Sequence, residues 1–228
     1  MNVMRHIVAI GGAGFNSQPE NLGLDRYILS LVKTDSPKAC FIPTASADSE
    51  AYIQSFHDIY GKLGCETSHL SLYWPHRLDF ETFMLEQDVI YVGGGNTRNL
   101  LVLWRDWGLD TAIRKAYENG TVLAGVSAGA NCWFEEFSTD SMGPLMPWKG
   151  LGWLKGSFCP HYDGEEDRRP SLKRMLNNRE IGPGLASDDG TAAHFVDEAF
   201  HQAITLRPGS KVYRYDENGE DSLNMVLV

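Results

Sequence analysis

A serine flanked by glycines stands between a stretch of β-forming residues and a stretch that can form a helix. Residues 121–126 form a short apolar run rich in β-formers, and residues 125–129 read Gly-Val-Ser-Ala-Gly. A strand, a sharp turn with a central serine and a helix make up the layout of a nucleophile elbow, whose strained backbone exposes the hydroxyl. Glycines on both sides avoid a collision between a Cβ atom and the neighbouring strand or helix. Ser127 is therefore the candidate nucleophile, and the amides at the helix start are suited to an oxyanion.

A serine nucleophile needs a base, and the chain offers seven histidines. Two of them, His161 and His194, lie near predicted strand ends. His161 follows Cys159-Pro160, and a proline corner at the end of a strand would hold the ring in a crevice. We favour His161 as the general base and keep His194 as the alternative.

Two further glycine-rich loops follow predicted strands. The loop 93–97, Gly-Gly-Gly-Asn-Thr, offers backbone N–H groups before a predicted helix, which is a natural site for an oxyanion or a carboxylate. The loop 11–14, Gly-Gly-Ala-Gly, lacks the third glycine and the distant acidic residue of a dinucleotide fingerprint. We therefore interpret 93–97 as a binding loop and 11–14 as a tight turn.

The elements that must position these residues alternate between strand and helix up to about residue 136. This alternation predicts an α/β fold, with three α/β/α layers around a doubly wound, mostly parallel sheet and with an antiparallel C-terminal edge. In such a sheet the ligand crevice lies beyond the carboxyl ends of the strands, where the glycine loops would meet. We expect one domain over 1–228. The predicted strands are 6–10, 38–43, 66–72, 89–92 and 121–126, and the predicted helices are 24–32, 50–63, 80–86, 99–107 and 110–118.

Composition narrows the class of protein. The chain has 228 residues and a net charge of −10, with no basic stripe, so we expect neither nucleic acid nor a membrane as a partner. We see no signal peptide and no apolar run of about 18 residues, and we expect a cytoplasmic protein. The four scattered cysteines lack metal-ligand spacing, so no metal is expected.

Three short blocks together resemble the signature motifs of the peptidase E (dipeptidase E, aspartyl dipeptidase) family of serine peptidases. They are residues 93–97, residues 125–130 (Gly-Val-Ser-Ala-Gly-Ala) and residues 159–162 (Cys-Pro-His-Tyr). Their order and spacing are similar to the family's, and the resemblance covers roughly residues 5–200. The α/β-hydrolases share the serine motif, but their histidine lies much further downstream than His161 does here.

The resemblance implies a fold like that of class I glutamine amidotransferases, no cofactor, and hydrolysis of short peptides, in the best-known members dipeptides with an N-terminal Asp. It implies Ser127 as nucleophile and His161 as general base. It also implies an oxyanion hole made by the amides of Gly94, Gly95 and Ala128.

The acid of the triad is less defined, because the resemblance allows either Asp or Glu. Glu135 follows Ser127 by eight residues, about two turns on the same face of the predicted helix, and we favour it. Glu136, Asp140 and Asp163 remain alternatives.

The substrate side is predicted from polar residues around these loops. Asn96 and Thr97 belong to the glycine loop, and Arg168 with Arg169 follows the histidine, where a pair of arginines suits a substrate carboxylate. We expect a short peptide substrate and a homodimer as the candidate assembly. A cyanophycinase-like hydrolase of β-aspartyl-arginine material and a non-catalytic binder of small carboxylates are the alternative functions.

Overall fold

The computed structural model describes residues 3–228 and contains a mixed α/β fold built around an eight-stranded sheet. Five of its strands run parallel: β1 (His6–Ile10), β2 (Lys38–Ile42), β3 (Glu66–His69), β4 (Val89–Val92) and β5 (Val122–Val126). They lie side by side in the order β3-β2-β4-β5-β1. Apart from His6 and Lys38 at their starts, β1, β2, β4 and β5 bury their side chains on both faces, as their continuous apolar runs require. The edge strand β3 is polar and only partly buried.

Helices cover both faces of the parallel strands. The helices of this half are α1 (Gly23–Ser30), α2 (Glu50–Lys62), α3 (Phe80–Leu85), α4 (Thr97–Trp107) and α5 (Leu109–Glu118). Helices α1 and α2 pack with Phe41 and Tyr91 on one face of the sheet. Helices α4 and α5 pack with Ile90 and Leu123 on the other face. A turn of 3₁₀ helix, Thr44–Ser46, follows β2. The α/β class and the layered arrangement predicted from the sequence are thereby confirmed.

The chain after the elbow builds a second sheet. The elements of this half are α6 (Ala128–Asn131), β6 (Phe134–Thr139), β7 (Met146–Lys149), β8 (Leu154–Cys159), α7 (Arg168–Asn177), β9 (Gly184–Ser187), β10 (Thr191–Val196), β11 (Ala199–Thr205), β12 (Val212–Asp216), β13 (Gly219–Ser222) and β14 (Met225–Leu227). The strands of the second sheet lie in the order β13-β12-β9-β8-β6-β7. Phe134 and Phe158 on this sheet pack into the same apolar core as the larger sheet.

The C-terminal strands differ in part from the prediction of one antiparallel edge. β10 does pair antiparallel with β1, and β11 pairs antiparallel with β10. However, β14 lies parallel to β11, and β12 with β13 belongs to the second sheet. The reason is that β12 pairs antiparallel with β9, whose residues 184–187 the sequence did not separate from the turn that follows them.

Candidate active site

Ser127 lies between β5 and α6 in a backbone conformation that few residues adopt. Its φ is 53° and its ψ is −108°, so the structure contains the strained turn that the sequence predicts. A methyl group on Gly125 would overlap the carbonyl oxygen of Gly129, and one on Gly129 would overlap that of Val92. The Ser127 N–H donates to the Ile10 carbonyl over 2.9 Å, which ties the elbow to the carboxyl end of β1.

The glycine loop after β4 lies beside the serine. A Cβ atom on Gly94 would stand 3.5 Å from the Cβ of Ser127. Gly95 has a φ of 137° and packs so closely on Ala45 that a side chain there would overlap the Ala45 carbonyl. The sheet-edge placement that the sequence suggested for this loop therefore brings it to Ser127.

The amides predicted for the oxyanion hole differ in their surroundings. Within residues 3–228, neither the Gly95 N–H nor the Ala128 N–H donates a hydrogen bond to another group. The Gly94 N–H faces the Tyr52 hydroxyl: burial raises the pKa of Tyr52 to about 12, and this amide opposes the rise. The Gly95 and Ala128 amides are thus the donors that remain available to an oxyanion.

His161 follows β8 and turns back toward the end of β1. Its φ is 52°, and its backbone N–H donates to the Gly11 carbonyl over 3.2 Å. Its Nδ1 lies 2.7 Å from Oδ1 of Asp189. Because a carboxylate only accepts, Nδ1 carries the proton, and Nε2 is left as the basic nitrogen.

Asp189 is the carboxylate that sequence reasoning missed. It lies in the turn between β9 and β10, and its hydrogen bond from His161 lowers its pKa, with burial opposing. The feature that points to it is the Asp188-Asp189-Gly190 turn, which follows a β-like stretch and so falls at a strand end as His161 does. Sequence order hides the pairing, because 28 positions separate the two residues.

Glu135 does not contact His161, and the prediction of a helix that carries it there is wrong. The elbow helix α6 ends at Asn131, and Glu135 lies on β6, where it pairs with other groups. Its carboxylate accepts from Lys155 Nζ over 2.7 Å and from the Gly156 N–H over 2.8 Å. The physical reason is that Phe134 and Phe137 bury their rings as part of the second sheet, a role that aromatic residues favour.

The other predicted acids also have their own partners. Glu136 accepts from the Gly182 N–H over 2.9 Å, and Asp140 lies 3.7 Å from the Arg168 guanidinium. Asp163 accepts from the N–H of Asp189 over 2.7 Å. It therefore contacts the backbone of the residue that binds His161.

The two arginines predicted to bind substrate are engaged within the protein. Arg168 is buried and donates to the Glu165 carboxylate over 2.6 Å. The Arg169 guanidinium lies over the rings of Tyr162 and Tyr213. This arrangement does not support a role of either guanidinium as a clamp for a substrate carboxylate.

Asn96 and Thr97 are likewise used at the start of α4. The Asn96 side chain accepts from the Asn99 N–H over 2.9 Å, which caps the helix, and donates to the Ser141 carbonyl. The Thr97 N–H donates to the Ser141 hydroxyl over 3.0 Å. The segment around Ser141 thus occupies the helix start that the sequence suggested for a carboxylate.

Two structural features are absent from the described part of the chain. Among residues 3–228, no group of three or more His, Cys, Asp or Glu side chains has the arrangement of a metal site. The described helices include none with the length and apolar character needed to cross a bilayer.

Comparison with known proteins places the chain in a family. Residues 7–203 match the model of Peptidase family S51, so the chain belongs to this family and is a serine-type peptidase. This confirms the resemblance to peptidase E. This chain is 55% identical over 211 residues to the "Uncharacterized peptidase YgaJ" of Bacillus subtilis, and the match covers 92% of each chain. It is 29% identical over 192 residues to "Peptidase E" of Streptomyces coelicolor, covering 77% of this chain and 76% of that one.

A solved structure supports the fold. The crystal structure of a peptidase from an acI-B1 Actinobacterium superposes with a TM-score of 0.75 at 20% identity. The match covers 99% of this chain and 96% of that one, and it shows that the two share a fold.

Proposed function

We propose that the protein hydrolyses short peptides through a triad of Ser127, His161 and Asp189. The hydrogen bond from His161 Nδ1 to Asp189 carries this proposal, because it leaves Nε2 as the only ring nitrogen free to take a proton. Ser127 supports it through the elbow conformation. Asp189 replaces Glu135 as the proposed acid.

In the proposed reaction Ser127 Oγ attacks the peptide carbonyl while His161 Nε2 takes its proton. The peptide C–N bond then breaks, and His161 Nε2 gives the proton to the leaving amine, so that an acyl-enzyme forms. Water then attacks the acyl carbon while His161 Nε2 takes a proton from it. The bond between this carbon and Ser127 Oγ breaks, His161 returns the proton to Oγ, and the acid product leaves. The Ala128 and Gly95 amides stabilise the oxyanion, and Asp189 stabilises the imidazolium in both halves of the reaction.

The substrate is proposed to be a short peptide without a strict requirement for an N-terminal Asp. Such a requirement needs a cationic partner in the binding site, and both candidate arginines are engaged with other groups. The relatives called peptidase E support a peptide as the substrate, and its short length is what the resemblance to that family implies. A cytoplasmic location stays a prediction.

Digestion of a dipeptide and tripeptide library, followed by mass spectrometry, tests the proposal. The library includes Asp-X dipeptides, their neutral Asn-X counterparts and a β-Asp-Arg dipeptide. We expect cleavage of several α-linked peptides by the native enzyme and a loss of at least about 10³-fold in Ser127→Ala. Full turnover by Ser127→Ala would contradict the proposed nucleophile, and cleavage of β-Asp-Arg alone would favour the cyanophycinase-like alternative.

A further inference from the structure

The backbone of Asp189 is held by a pair of charged residues outside the proposed triad. The Asp163 carboxylate accepts from the Asp189 N–H over 2.7 Å. The Arg207 guanidinium donates to the Asp189 carbonyl over 3.4 Å and lies 3.5 Å from the other Asp163 oxygen. Both the backbone N–H and the backbone carbonyl of Asp189 are thus engaged. We call Asp163 and Arg207 the brace.

The brace joins three separate loops. Asp163 lies two residues after His161, Asp189 lies in the β9–β10 turn, and Arg207 follows β11. The Nε of Arg207 also donates to the Ser210 hydroxyl over 2.8 Å, which fixes the guanidinium in its own loop. A shift of the histidine loop is therefore passed to Asp189 through Asp163.

Close packing around the Asp189 carboxylate makes its position sensitive to such shifts. A methyl group on Gly12 would overlap both Asp189 and the His161 ring, and one on Gly164 would overlap the second carboxylate oxygen. The carboxylate therefore lies in a slot that glycines line on two sides. Within such a slot a small movement of the Asp189 backbone changes the hydrogen bond to His161.

The partial exposure of the brace argues against a role in global stability. The Arg207 side chain is 51% exposed and that of Asp163 is 36% exposed, and ion pairs of this kind contribute little to folding. A misplacement of catalytic groups by about 1 Å, by contrast, costs about 10²-fold in rate. The expected effect of the brace is on turnover.

We propose that Asp163 and Arg207 are positioning residues that hold Asp189 in register with His161. This inference rests on the proposed function, because it assigns the brace a role only if Asp189 orients His161. Among the described residues, the hydrogen bonds of the two brace side chains go to Asp189, to Ser210 and to each other, and none goes to Ser127 or to the His161 ring.

Steady-state kinetics on the peptide that the library shows to be cleaved fastest tests the brace. Asp163→Ala removes the acceptor for the Asp189 N–H, and we expect kcat to fall about 10- to 100-fold with KM changed less than about threefold. Asp163→Asn keeps a side-chain oxygen as acceptor and is expected to restore kcat to within about threefold of the native enzyme. The melting temperatures of both variants should stay near the native value.

A double-mutant cycle separates positioning through Asp189 from other effects. If the brace acts only through this residue, Asp163→Ala introduced into Asp189→Asn should lower kcat less than about twofold further. Multiplication of the two losses would overturn the inference, as would native kcat in Asp163→Ala or equal damage in Asp163→Asn.

The same set of variants distinguishes the two proposals. Full activity of Asp189→Asn would remove the proposed triad and the brace together. An impaired Asp189→Asn beside a fully active Asp163→Ala would overturn the brace and leave the triad intact.

Discussion

Strand β1 has a histidine site at each end, and the two sites treat the imidazole in opposite ways. Beyond its carboxyl end, His161 contacts Gly11 and binds the Asp189 carboxylate, with 23% of its side chain exposed. Near its start, His6 contacts the ring of His194, a residue of β10 that is 2% exposed. Only the first site gives the ring an anionic partner.

The partners of His194 favour a neutral ring. Burial, with smaller contributions from the nearby His6 and His201, lowers its pKa to about 4. Gln202 donates to the Tyr27 oxygen over 2.6 Å, which directs the Tyr27 proton to Nδ1 of His194 over 2.7 Å. Nε2 of His194 then donates to His6 over 3.0 Å. Each of these polar groups has a hydrogen-bond partner when His194 is neutral. Because the four side chains come from α1, β1, β10 and β11, their hydrogen bonds join these elements.

The comparison shows that the partner and the access to solvent, more than the residue type, decide what a histidine can do. In the proposed reaction the carboxylate beside His161 stabilises the imidazolium that proton transfer creates. At His194 protonation would place a buried charge without an anionic partner. The proline corner therefore pointed to the histidine that has an anionic partner, which the nearness of both histidines to predicted strand ends did not distinguish.

The largest expected effect is on turnover. His161→Ala should lower kcat/KM on the fastest-cleaved peptide by about 10³- to 10⁶-fold, because the general base is lost. His194→Gln, which keeps a neutral polar side chain, should retain activity within about threefold at pH 7.5. Equal losses in the two variants would break the distinction between the sites.

A smaller loss is expected when the floor of the His161 site is altered. Gly12→Ala introduces a methyl group that overlaps His161 and Asp189, and we expect kcat to fall about 10- to 100-fold. Gly61→Ala is the matched control, because no atom within 4 Å would meet the added methyl. Gly61 lies inside α2, so this control should keep native activity and gain about 0.5–1 kcal/mol in the free energy of unfolding. Native kinetics in Gly12→Ala would show that the His161–Asp189 pair tolerates displacement.

The third prediction concerns acid stability at the His194 site. The folded pKa of about 4 lies below the ordinary 6.5, so this histidine contributes stability above pH 6.5 and loses it as the pH falls toward 4. Between pH 6.5 and pH 5 the loss is about 2 kcal/mol. In His194→Gln this part of the pH dependence should disappear, which urea unfolding at the two pH values measures.

Two buried acids change the stability in the opposite direction as the pH falls, and they do so in the native protein and in His194→Gln alike. Burial raises the pKa of Asp25 and of Asp188 to about 6, so their contributions grow as the pH falls below 6. The difference between the native protein and His194→Gln therefore isolates the histidine. An identical pH dependence in the two would contradict the account of His194.

The first half of the fold was readable from local patterns. Predicted and observed bounds up to Val126 differ by no more than three residues, because buried parallel strands and amphipathic helices leave distinct apolar periods. The same locality explains why the sequence could place Ser127, His161 and the glycine loop at strand ends. Each lies at a strand end with a turn residue beside it.

The second half was less readable, because its pairings are long-range. The stretch after Ser127 has residues that suit either a helix or a strand, and its pairing with β7 and β8 decided for β6. That choice moved Glu135 away from His161. Asp189 was missed for the same reason, since only the placement of the β9–β10 turn against Gly12 brings it to His161.

The most direct test of the proposed triad compares Asp189→Asn with Glu135→Gln in peptide hydrolysis at pH 7.5. Both substitutions neutralise one carboxylate and keep its shape. We predict that kcat falls about 10²- to 10⁴-fold in Asp189→Asn, because His161 loses its anionic partner, and stays within about threefold of native in Glu135→Gln. A native rate in Asp189→Asn with a large loss in Glu135→Gln would contradict the assignment.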